Sequence, residues 1–403
     1  MLGALLLVAA SVKRKMPNCW TDHFPNNFSW SNATLVTKGM APYGVVALGE
    51  IARVAERLAA RQGEPEAWWQ EWCAMADAVA RRADEQALHG RHFSAGDNYM
   101  RAGYYYYTGE RMVYPGELKS RIYANAIRCF NLGFARRYPE FERVEVPYQG
   151  GSLPAYFIKA RGAGDGAPTV VVFDGLDNCK EMSALFCGLE FSRRGFNTLA
   201  VDGPGQGETL RLRGIHSRYD YEVPGSAAFD YVAERPEVDA GKVVVMGYSF
   251  GGYCAPRIAA FETRYAGGVA FGAMHWDMHA WLLHTQEDMK KGAVATSHFQ
   301  IPWVFGVPGL DFAGAVERIK QFSLAGIAER VRCPFLVLHG ANDRIVAAAE
   351  AERLYVALGS ADKTLKIFTA EDGAAEHCQV DDRQLGVNFI ADWITEHVVG
   401  VDA

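Results

Sequence analysis

The sequence predicts an α/β protein in which a mostly parallel β-sheet follows an N-terminal helical domain. From about residue 43 to 137, apolar residues recur at i, i+3, i+4 and i+7, a spacing typical of amphipathic helices. After about residue 142, short apolar runs alternate with helical or polar stretches. Continuous apolar strands separated by helices indicate a parallel sheet that is buried on both faces. We therefore expect a helical domain at 16–142 and an α/β domain at 143–399.

The helical domain is predicted from segments with recognisable starts. "PYGVVALGEIARVAERLAARQG" and "PEAWWQEWCAMADAVARRADEQALHG" each begin with a proline and end at a glycine, as helices commonly do. "SAGDNYMRAGYYYY" places Ser94 and Asp97 in an S-x-x-D pattern, which favours a helix start at Ser94.

The α/β domain is predicted from a hairpin and six further strands. "FERVEVPY" and "LPAYFIKA" alternate in polarity around "QGG", which indicates a β-hairpin. Six apolar runs of strand length follow: "TVVVFDG", "NTLAVDG", "KVVVMGY", "GGVAFGA", "PFLVLHG" and "TLKIFTA". After the fourth of these runs, residues 274–330 break the alternation and are rich in His, Trp, Met and Pro. We expect this segment to be a lid-like insertion.

Composition excludes several classes of protein. The chain of 403 residues has 49% apolar residues and a net charge of -6, which is ordinary for a globular protein and argues against a nucleic-acid binder. Its eight cysteines form no C-x-x-C pair, so reduced thiols in the cytoplasm are expected rather than disulfides or a zinc site. The N-terminal apolar run is too short to span a membrane, and we expect Met16 to be the true start.

A candidate nucleophile lies at the end of one predicted strand. "KVVVMGY" runs into "GYSFGGYCAPRIAAF", which places the G-x-S-x-G motif of residues 247–251 between a strand and a helix. This context is the one that a nucleophile elbow requires, because the serine then sits on a sharp turn with glycines on both sides. Ser249 is therefore the predicted nucleophile, and a tight turn with a capping serine is the alternative.

A serine hydroxyl becomes a good nucleophile only when a base takes its proton and a carboxylate orients that base. Asp343 follows the strand "PFLVLHG", and His377 follows the strand "TLKIFTA". Both lie where loops leave the carboxyl ends of strands, which is the usual place for chemistry in such sheets. His377 is the predicted base and Asp343 the predicted acid; the weaker candidates are His339, His397, Asp311 and Asp372.

The same motifs resemble the α/β-hydrolase superfamily. The resemblance covers about residues 143 to 399 and rests on "DGLDN", "VDGPGQGE", "GYSFGG", "HGANDRIV" and "EHCQVD". "SAGDNYMRAGYYYY" and "GLDNCKEM" are similar to a branch with a helical domain ahead of the hydrolase core. That branch holds the 2,6-dihydroxypseudooxynicotine hydrolases, the fermentation-respiration-switch esterase-like proteins and fungal polyketide-shortening hydrolases.

The resemblance implies hydrolysis without a cofactor or a metal, by a homodimer acting on a small, aromatic or polyketide-like molecule. In several members the bond cleaved is a C–C bond next to a carbonyl. A carboxylesterase would use the same three residues, and a non-catalytic ligand-binding protein on this scaffold is the alternative from another class. "VDGPGQGE" is expected to be a structural loop, because its third glycine is misplaced for a dinucleotide site.

Acyl transfer also needs donors for the developing oxyanion. One donor should be the backbone N–H of Phe250, directly after the nucleophile. The other should come from the loop "DGLDN". Many relatives have His-Gly where this chain has Asp174-Gly175, so the second donor is expected to be the N–H of Leu176.

Substrate contacts are predicted in two places. His275, Trp276 and Asp277 open the predicted lid and are expected to touch substrate, with a packed core loop as the alternative. On the wheel of the tyrosine-rich helix, Tyr104 and Tyr105 lie opposite Tyr99 and Tyr106. We expect Tyr104 and Tyr105 to face the hydrolase domain and cover an aromatic substrate, unless both faces are simply core. In the remaining sequence, Arg211 and Arg213 are expected to be solvated surface charges rather than contacts for an anionic substrate.

Overall fold

The structure is a computed structural model that describes residues 20–24, 27–176, 178–272, 276–290 and 297–400. Met16 and His275, which were singled out from the sequence, lie outside the described residues. Within those ranges, no helix combines the length and the apolar character needed to cross a bilayer.

Five helices precede the first strand. They are α1 (Phe28–Lys38), α2 (Leu48–Ala59), α3 (Ala67–Leu88), α4 (His92–Glu110) and α5 (Glu117–Arg137). Helix α4 packs between α3 and α5. Its Gly103 allows close contact with α5, because a methyl group there would lie 3.1 Å from the Ala126 carbonyl oxygen.

Helix α4 begins earlier than the sequence predicted. The expected start at Ser94 is wrong, since the helix begins at His92 and Arg91 is the residue before it. The Asp97 carboxylate is paired with Arg137 at 2.7 Å instead of closing a capping box with Ser94. The S-x-x-D pattern therefore lies inside the first turns of the helix.

Eight strands form one sheet in the order β1-β2-β4-β3-β5-β6-β7-β8. Strands β1 and β2 pair antiparallel, as do β2 and β4, and all other neighbours are parallel. The strands are β1 (Phe141–Tyr148), β2 (Gly151–Ile158), β3 (Ala167–Phe173), β4 (Asn197–Val201), β5 (Val238–Tyr248), β6 (Gly267–Phe271), β7 (Phe335–Gly340) and β8 (Lys363–Phe368). The predicted hairpin and all six predicted strands are present, which confirms the α/β-hydrolase fold with a helical region before it.

Both faces of the sheet are covered. The connecting helices are α6 (Lys180–Ser183), α7 (Leu189–Arg193), α8 (Gly207–Arg211), α9 (Glu222–Ala233), α10 (Gly251–Phe261), α14 (Ala348–Ala357) and α15 (Arg383–Ile394). On β3, Val170 and Val172 join the core that includes the N-terminal helices, whereas Val171 and Phe173 join the core on the opposite face. This alternation follows from the period of two in a strand.

The segment after β6 contains three helices: α11 (Met278–Lys290), α12 (Ser297–Val304) and α13 (Phe312–Ile319). It packs near the predicted nucleophile, because the ring centroids of Phe305 and Phe250 are 5.8 Å apart. It also reaches the helical region, where Phe299 lies 5.2 Å from Tyr114 between ring centroids. The insertion thus contacts both parts of the chain.

Candidate active site

The predicted nucleophile lies on a strained turn between β5 and α10. Ser249 has a φ of 54°, which is unusual for a residue other than glycine. Both flanking glycines are needed for close packing: a methyl group on Gly247 would lie 2.0 Å from the Gly251 carbonyl oxygen, and one on Gly251 would lie 2.6 Å from the Phe173 carbonyl oxygen. This tight geometry holds the partly exposed Ser249 side chain above the carboxyl end of the sheet.

The structure brings Ser249, His377 and Asp343 together in a chain of hydrogen bonds. The Ser249 Oγ lies 3.0 Å from His377 Nε2, and His377 Nδ1 lies 2.7 Å from Asp343 Oδ2. The other carboxylate oxygen of Asp343 accepts hydrogen bonds from the backbone N–H groups of Ile345 and Val346, at 2.8 and 2.9 Å. Nucleophile, base and orienting acid are therefore within reach of one another.

The loop that presents His377 is fixed to the end of β6. The Cys378 N–H donates to the Gly272 carbonyl oxygen at 2.8 Å, and Cys378 itself has a positive φ of 51°. A methyl group on Gly272 would lie 2.4 Å from the Cys378 Cα, so this approach requires a glycine. The backbone thus determines where the imidazole lies.

The charges of the pair shift both pKa values in opposite directions. Burial lowers the pKa of His377, but the neighbouring Asp343 carboxylate outweighs burial and the net pKa lies well above the usual histidine value. Burial raises the pKa of Asp343, yet the charge of His377 and its hydrogen bond bring it below the usual value. Asp343 is therefore ionised and stabilises a proton on His377.

The other candidate acids and bases have partners other than Ser249, and one of them, His339, has its Nε2 3.6 Å from the Asp343 Oδ2. His339 is buried in β7 with its Nε2 3.1 Å from the Val346 carbonyl oxygen, and His397 pairs with Asp362. Asp311 caps α13, where it accepts from the N–H groups of two residues in the first turn. Asp372 accepts from Thr369 in an exposed turn after β8. None of these four contacts Ser249.

Two backbone N–H groups were predicted as oxyanion donors. Phe250 and Leu176 follow the nucleophile and Gly175, respectively, and neither N–H donates to another residue in the part of the chain that the structure describes. Gly175 lies directly against the nucleophile, because a methyl group on it would be 3.0 Å from the Ser249 Cβ. Both residues therefore adjoin the predicted nucleophile or its neighbour, and their role as oxyanion donors stays a prediction.

Asp174, which departs from the pattern of many relatives, is fully buried below this loop. Its carboxyl group accepts a hydrogen bond from Ser183 and another from the Tyr248 hydroxyl at 3.0 Å. Burial, together with the charge of Asp202, raises the pKa of Asp174 well above the ordinary value. The side chain therefore anchors the loop.

The glycine-rich segment after β4 supports the same loop, as the structural interpretation expected. The Gly207 N–H donates to the Asn178 carbonyl oxygen at 2.9 Å. The Asp202 carboxylate accepts from the Lys180 backbone N–H at 2.7 Å and pairs with its ammonium at 3.1 Å. A methyl group on Gly207 would lie 2.0 Å from the Asp202 Oδ1, so the close packing of this segment against Asp202 requires a glycine.

The tyrosines of α4 divide differently from the prediction. Tyr104 does point toward the α/β half, with its hydroxyl 3.8 Å from the Met182 Sδ. Tyr105 does not: its hydroxyl donates to Glu50 at 2.7 Å and accepts from the Ala47 N–H at 2.9 Å, both near the start of α2. The prediction that Tyr105 faces the hydrolase domain is therefore wrong. A helical wheel does not take into account that long side chains on a helix point back toward its N-terminus.

Tyr107 and Asn178 were missed as site residues. Tyr107 was not among the predicted substrate contacts, yet its buried hydroxyl donates to the Asn178 Oδ1 at 3.1 Å. Asn178 lies three residues after Gly175 in "DGLDN", and a methyl group on Gly175 would be 3.0 Å from its Nδ2. An amide so close after the oxyanion glycine was the available sequence signal.

The residues at the start of the insertion have mixed outcomes. Trp276 is partly buried, and Asp277 accepts from the N–H groups of His279 and Ala280, which caps α11. Helix α11 also reaches the loop of the candidate acid, because the Trp281 Nε1 donates to the Ile345 carbonyl oxygen at 3.0 Å. Asp277 therefore has a structural contact besides any role toward substrate.

Arg211 is not a surface charge. It is fully buried and pairs with Glu110 of α4 at 2.7 Å, while Lys119 lies on the other side of that carboxylate. Arg213 is partly exposed and pairs with Glu145 and Glu208 at 2.8 and 3.1 Å. The prediction for Arg211 was wrong because its partner, Glu110, lies 101 residues earlier in the chain. Across the described ranges, no cluster of His, Cys, Asp and Glu has the arrangement of a metal site.

Comparison with known families decides the assignment of the chain. Residues 189–400 match the prolyl oligopeptidase family (Peptidase_S9), and this region contains all three residues of the hydrogen-bonded chain. The chain belongs to that family of α/β hydrolases. The superfamily resemblance that was predicted from the motifs is thereby confirmed, and the protein is a hydrolase.

Individual relatives extend over the helical region as well. The chain is 28% identical to Hydrolase LUC6 of a Fusarium species over 93% of this chain and 97% of that one. It is 26% identical to 20-hydroxy-prefusarin hydrolase FUS2 of Gibberella moniliformis, over 85% and 90% of the two chains. The crystal structure of 2,6-dihydroxy-pseudo-oxynicotine hydrolase aligns with a TM-score of 0.72 at 22% identity, covering 90% of this chain and 95% of that one. This last likeness shows the shared fold.

Proposed function

We propose that this hydrolase uses Ser249, His377 and Asp343 as a catalytic triad to cleave a C–C bond next to a carbonyl group in an aromatic or polyketide-like substrate. The observation that carries the proposal is the continuous hydrogen-bonded chain from Ser249 Oγ through His377 to Asp343. The N–H groups of Leu176 and Phe250, which have no acceptor among the described residues, support it. No cofactor takes part in this chemistry.

In the first step, His377 Nε2 takes the proton of Ser249 as Oγ attacks the carbonyl carbon. Asp343 stabilises the resulting imidazolium, and the oxyanion accepts hydrogen bonds from Leu176 and Phe250. The C–C bond then breaks, and its electron pair remains on the leaving carbon. His377 returns the proton to that carbon, which leaves the acyl group on Ser249.

In the second step, a water molecule attacks the acyl-enzyme and gives its proton to His377. The acid product leaves, and the proton returns to Ser249. Departure of a carbon leaving group requires that its electron pair be delocalised, as in an enolate or a hydroxylated arene. The proposal therefore implies an enolisable or aromatic group on the leaving side of the substrate.

The choice of C–C cleavage rests on the resemblance to the helical-domain branch, and the names of similar proteins support the class of substrate. One relative is named for 20-hydroxy-prefusarin and one structural neighbour for 2,6-dihydroxy-pseudo-oxynicotine. Tyr104, Trp276 and Asp277 are proposed as substrate contacts, with the insertion after β6 as the lid. A homodimer is part of the proposal, and light scattering of the purified protein would test it.

The first experiment is labelling with a fluorophosphonate probe, followed by turnover assays on the wild type and Ser249→Ala. We expect labelling of wild type only, and a loss of turnover of about 10⁴- to 10⁶-fold in the variant, because triad members act as a unit. Circular dichroism should show both proteins folded. Turnover by Ser249→Ala above about a tenth of the wild-type rate would refute the mechanism.

The same assay distinguishes the bond that is cleaved. Aryl β-diketones and acylphenols should be hydrolysed in preference to aryl esters of matched shape. Activity confined to the esters would identify a carboxylesterase that uses the same triad. An unlabelled but folded wild-type protein would instead identify a ligand-binding protein on this scaffold.

A further inference from the structure

We propose that the side-chain amide of Asn178 is a third donor to the oxyanion and that Tyr107 of the N-terminal helical region holds this amide in its donating orientation. The inference rests on the proposed function, because it assigns a further residue to the same reaction. It makes Asn178 a catalytic residue and Tyr107 a positioning residue.

The Asn178 amide lies beside the proposed nucleophile. The Asn178 Nδ2 and the Ser249 side chain meet over the same glycine: a methyl group on Gly175 would lie 3.0 Å from that Nδ2 and 3.5 Å from the Ser249 Oγ. The carbonyl carbon of a substrate must approach Oγ, so its oxygen passes through the space that Gly175 leaves open. An amide N–H at this point is close enough to donate to that oxygen.

The orientation of the Asn178 amide is set by its hydrogen bond to Tyr107. An asparagine amide offers a donor on one side and an acceptor on the other, and the hydrogen-bond network decides which side faces the site. The Tyr107 hydroxyl donates to Oδ1 at 3.1 Å, which turns Nδ2 toward Gly175 and Ser249. In the described part of the chain, no residue accepts a hydrogen bond from this Nδ2. Asn178 is only partly buried, so its side chain is accessible to a ligand.

Asn178 and Tyr107 are both held rigidly, and a donor must be rigid in order to favour the transition state. The backbone of Asn178 accepts from the Gly207 N–H at 2.9 Å. The Tyr107 ring is fully buried between the Tyr104 ring, at 5.6 Å between centroids, and the Arg211 guanidinium, at 5.9 Å. Both partners of the hydrogen bond are therefore fixed before substrate binds.

The consequence is a catalytic contribution from the helical region. Leu176 and Phe250 supply backbone donors from the loops that follow β3 and β5. The Asn178 amide depends on α4 (His92–Glu110), since Tyr107 lies on that helix. On this view the N-terminal region does more than shape a pocket: it sets the direction of one donor at the reacting centre.

The decisive variants are Asn178→Ala and Asn178→Asp, assayed by steady-state kinetics on the preferred substrate of the hydrolysis screen. We expect Asn178→Ala to lower kcat by about 10²- to 10³-fold with little change in KM, as for the loss of one oxyanion donor. The affinity for a boronic acid that forms a tetrahedral adduct with Ser249 should fall, whereas the affinity for the acid product should not. A structural role would not separate these two affinities.

Asn178→Asp keeps the shape of the side chain and gives a pH signature. An ionised carboxylate beside the oxyanion repels it, so kcat at neutral pH should be lower than that of Asn178→Ala. As the pH falls, the carboxyl group is protonated and can donate again. The ratio of kcat between the Asp and Ala variants should therefore rise with falling pH.

Tyr107→Phe tests the positioning role. Loss of the hydroxyl frees the amide to rotate, and we expect kcat to fall about 5- to 10-fold, the equivalent of one hydrogen bond. Tyr106→Phe is the matched control on the same helix, because the Tyr106 hydroxyl donates to Asp77 of α3, away from the site. That control should keep kcat and KM at wild-type values.

The outcomes separate this inference from the proposed function. Wild-type kcat in Asn178→Ala, or a rise in KM alone, would overturn the inference while a dead Ser249→Ala leaves the triad intact. An equal loss in Tyr107→Phe and Tyr106→Phe would overturn the positioning role of Tyr107. If Ser249→Ala retains turnover, the proposed function and the inference fall together.

Discussion

The strand-end loops of the sheet and helix α4 both reach the candidate site, but they are built in opposite ways. In the loops, strained or glycine-dependent backbone fixes the proposed catalytic residues, as at Ser249 with its φ of 54° and at the contact between Gly272 and Cys378. In α4 the backbone is regular, and five tyrosine side chains reach in several directions. The loops thus position side chains through backbone geometry, whereas the helix makes its contacts through tyrosine hydroxyls.

The two sides of α4 show what those hydroxyls do. Tyr99, Tyr105 and Tyr106 each donate to a carboxylate within the helical region: Asp84, Glu50 and Asp77, respectively. Burial and the Asp84 carboxylate raise the pKa of Tyr99 to about 12, so its hydroxyl keeps its proton and remains a donor. Tyr104 and Tyr107 instead reach Met182 and Asn178, beyond β3. One side of the helix stabilises the fold, and the other contacts the loop beside the nucleophile.

The largest effect that would sharpen this comparison is expected in the loops, from Asp343→Asn. The amide cannot stabilise the imidazolium and favours the wrong tautomer of His377, so kcat should fall by about 10⁴-fold. Unfolding by urea should change little by comparison. Asp372→Asn is the matched control, since that carboxylate lies in an exposed turn and its loss should leave kcat unchanged. A damaging Asp372→Asn with a harmless Asp343→Asn would mean that the acid is misassigned.

The variant Asp343→Asn should also change the pH dependence of kcat/KM in a defined direction. The reaction needs neutral His377 as a base, so activity is present above the pKa of His377 and is lost as the pH falls through it. The Asp343 charge holds this pKa above the usual histidine value. Removing that charge should therefore move the acid limb of the kcat/KM profile to lower pH. A limb that stays in place or moves upward would contradict the pairing.

The contrast between the two regions also explains how far the sequence could lead. Ser249, Asp343 and His377 were predictable because each follows a strand with a recognisable motif, and local sequence determines where a strand ends. Tyr105 and Tyr107 were not, since a wheel gives the angle of a side chain but not the partner that it meets. Glu50 and Asn178 lie 55 and 71 residues away from them. Arg211 failed for the same reason, because only the tertiary fold supplies Glu110.

A medium-sized effect is expected on the stabilising side of α4. Tyr105 is fully buried and its ring lies 5.6 Å from Trp72 between centroids. Tyr105→Ala should therefore lower the free energy of unfolding by about 3–5 kcal/mol, as for a large aromatic truncated in a core. Urea denaturation measures this change, and KM of the folded fraction should stay at the wild-type value. A change in substrate preference without a loss of stability would return Tyr105 to the substrate pocket.

The smallest and most discriminating effect comes from removing single hydroxyls from adjacent residues, in Tyr104→Phe and Tyr105→Phe. The Tyr105 hydroxyl serves Glu50 and the Ala47 N–H, and leaving these buried groups unsatisfied should cost about 1–3 kcal/mol of stability. The Tyr104 hydroxyl donates to the Met182 sulfur at 3.8 Å, and because a thioether is a weak acceptor, the loss of this hydrogen bond should itself cost less than about 1 kcal/mol of stability. If Tyr104 touches substrate as proposed, its variant should instead raise KM for hydroxylated aryl substrates by a few fold, about one weak hydrogen bond. Thermal unfolding and KM measured on both variants give a two-by-two comparison in which each variant changes one quantity. Equal losses of stability with unchanged KM would mean that both sides of α4 are scaffolding, and the distinction between them would then rest on Tyr107 alone.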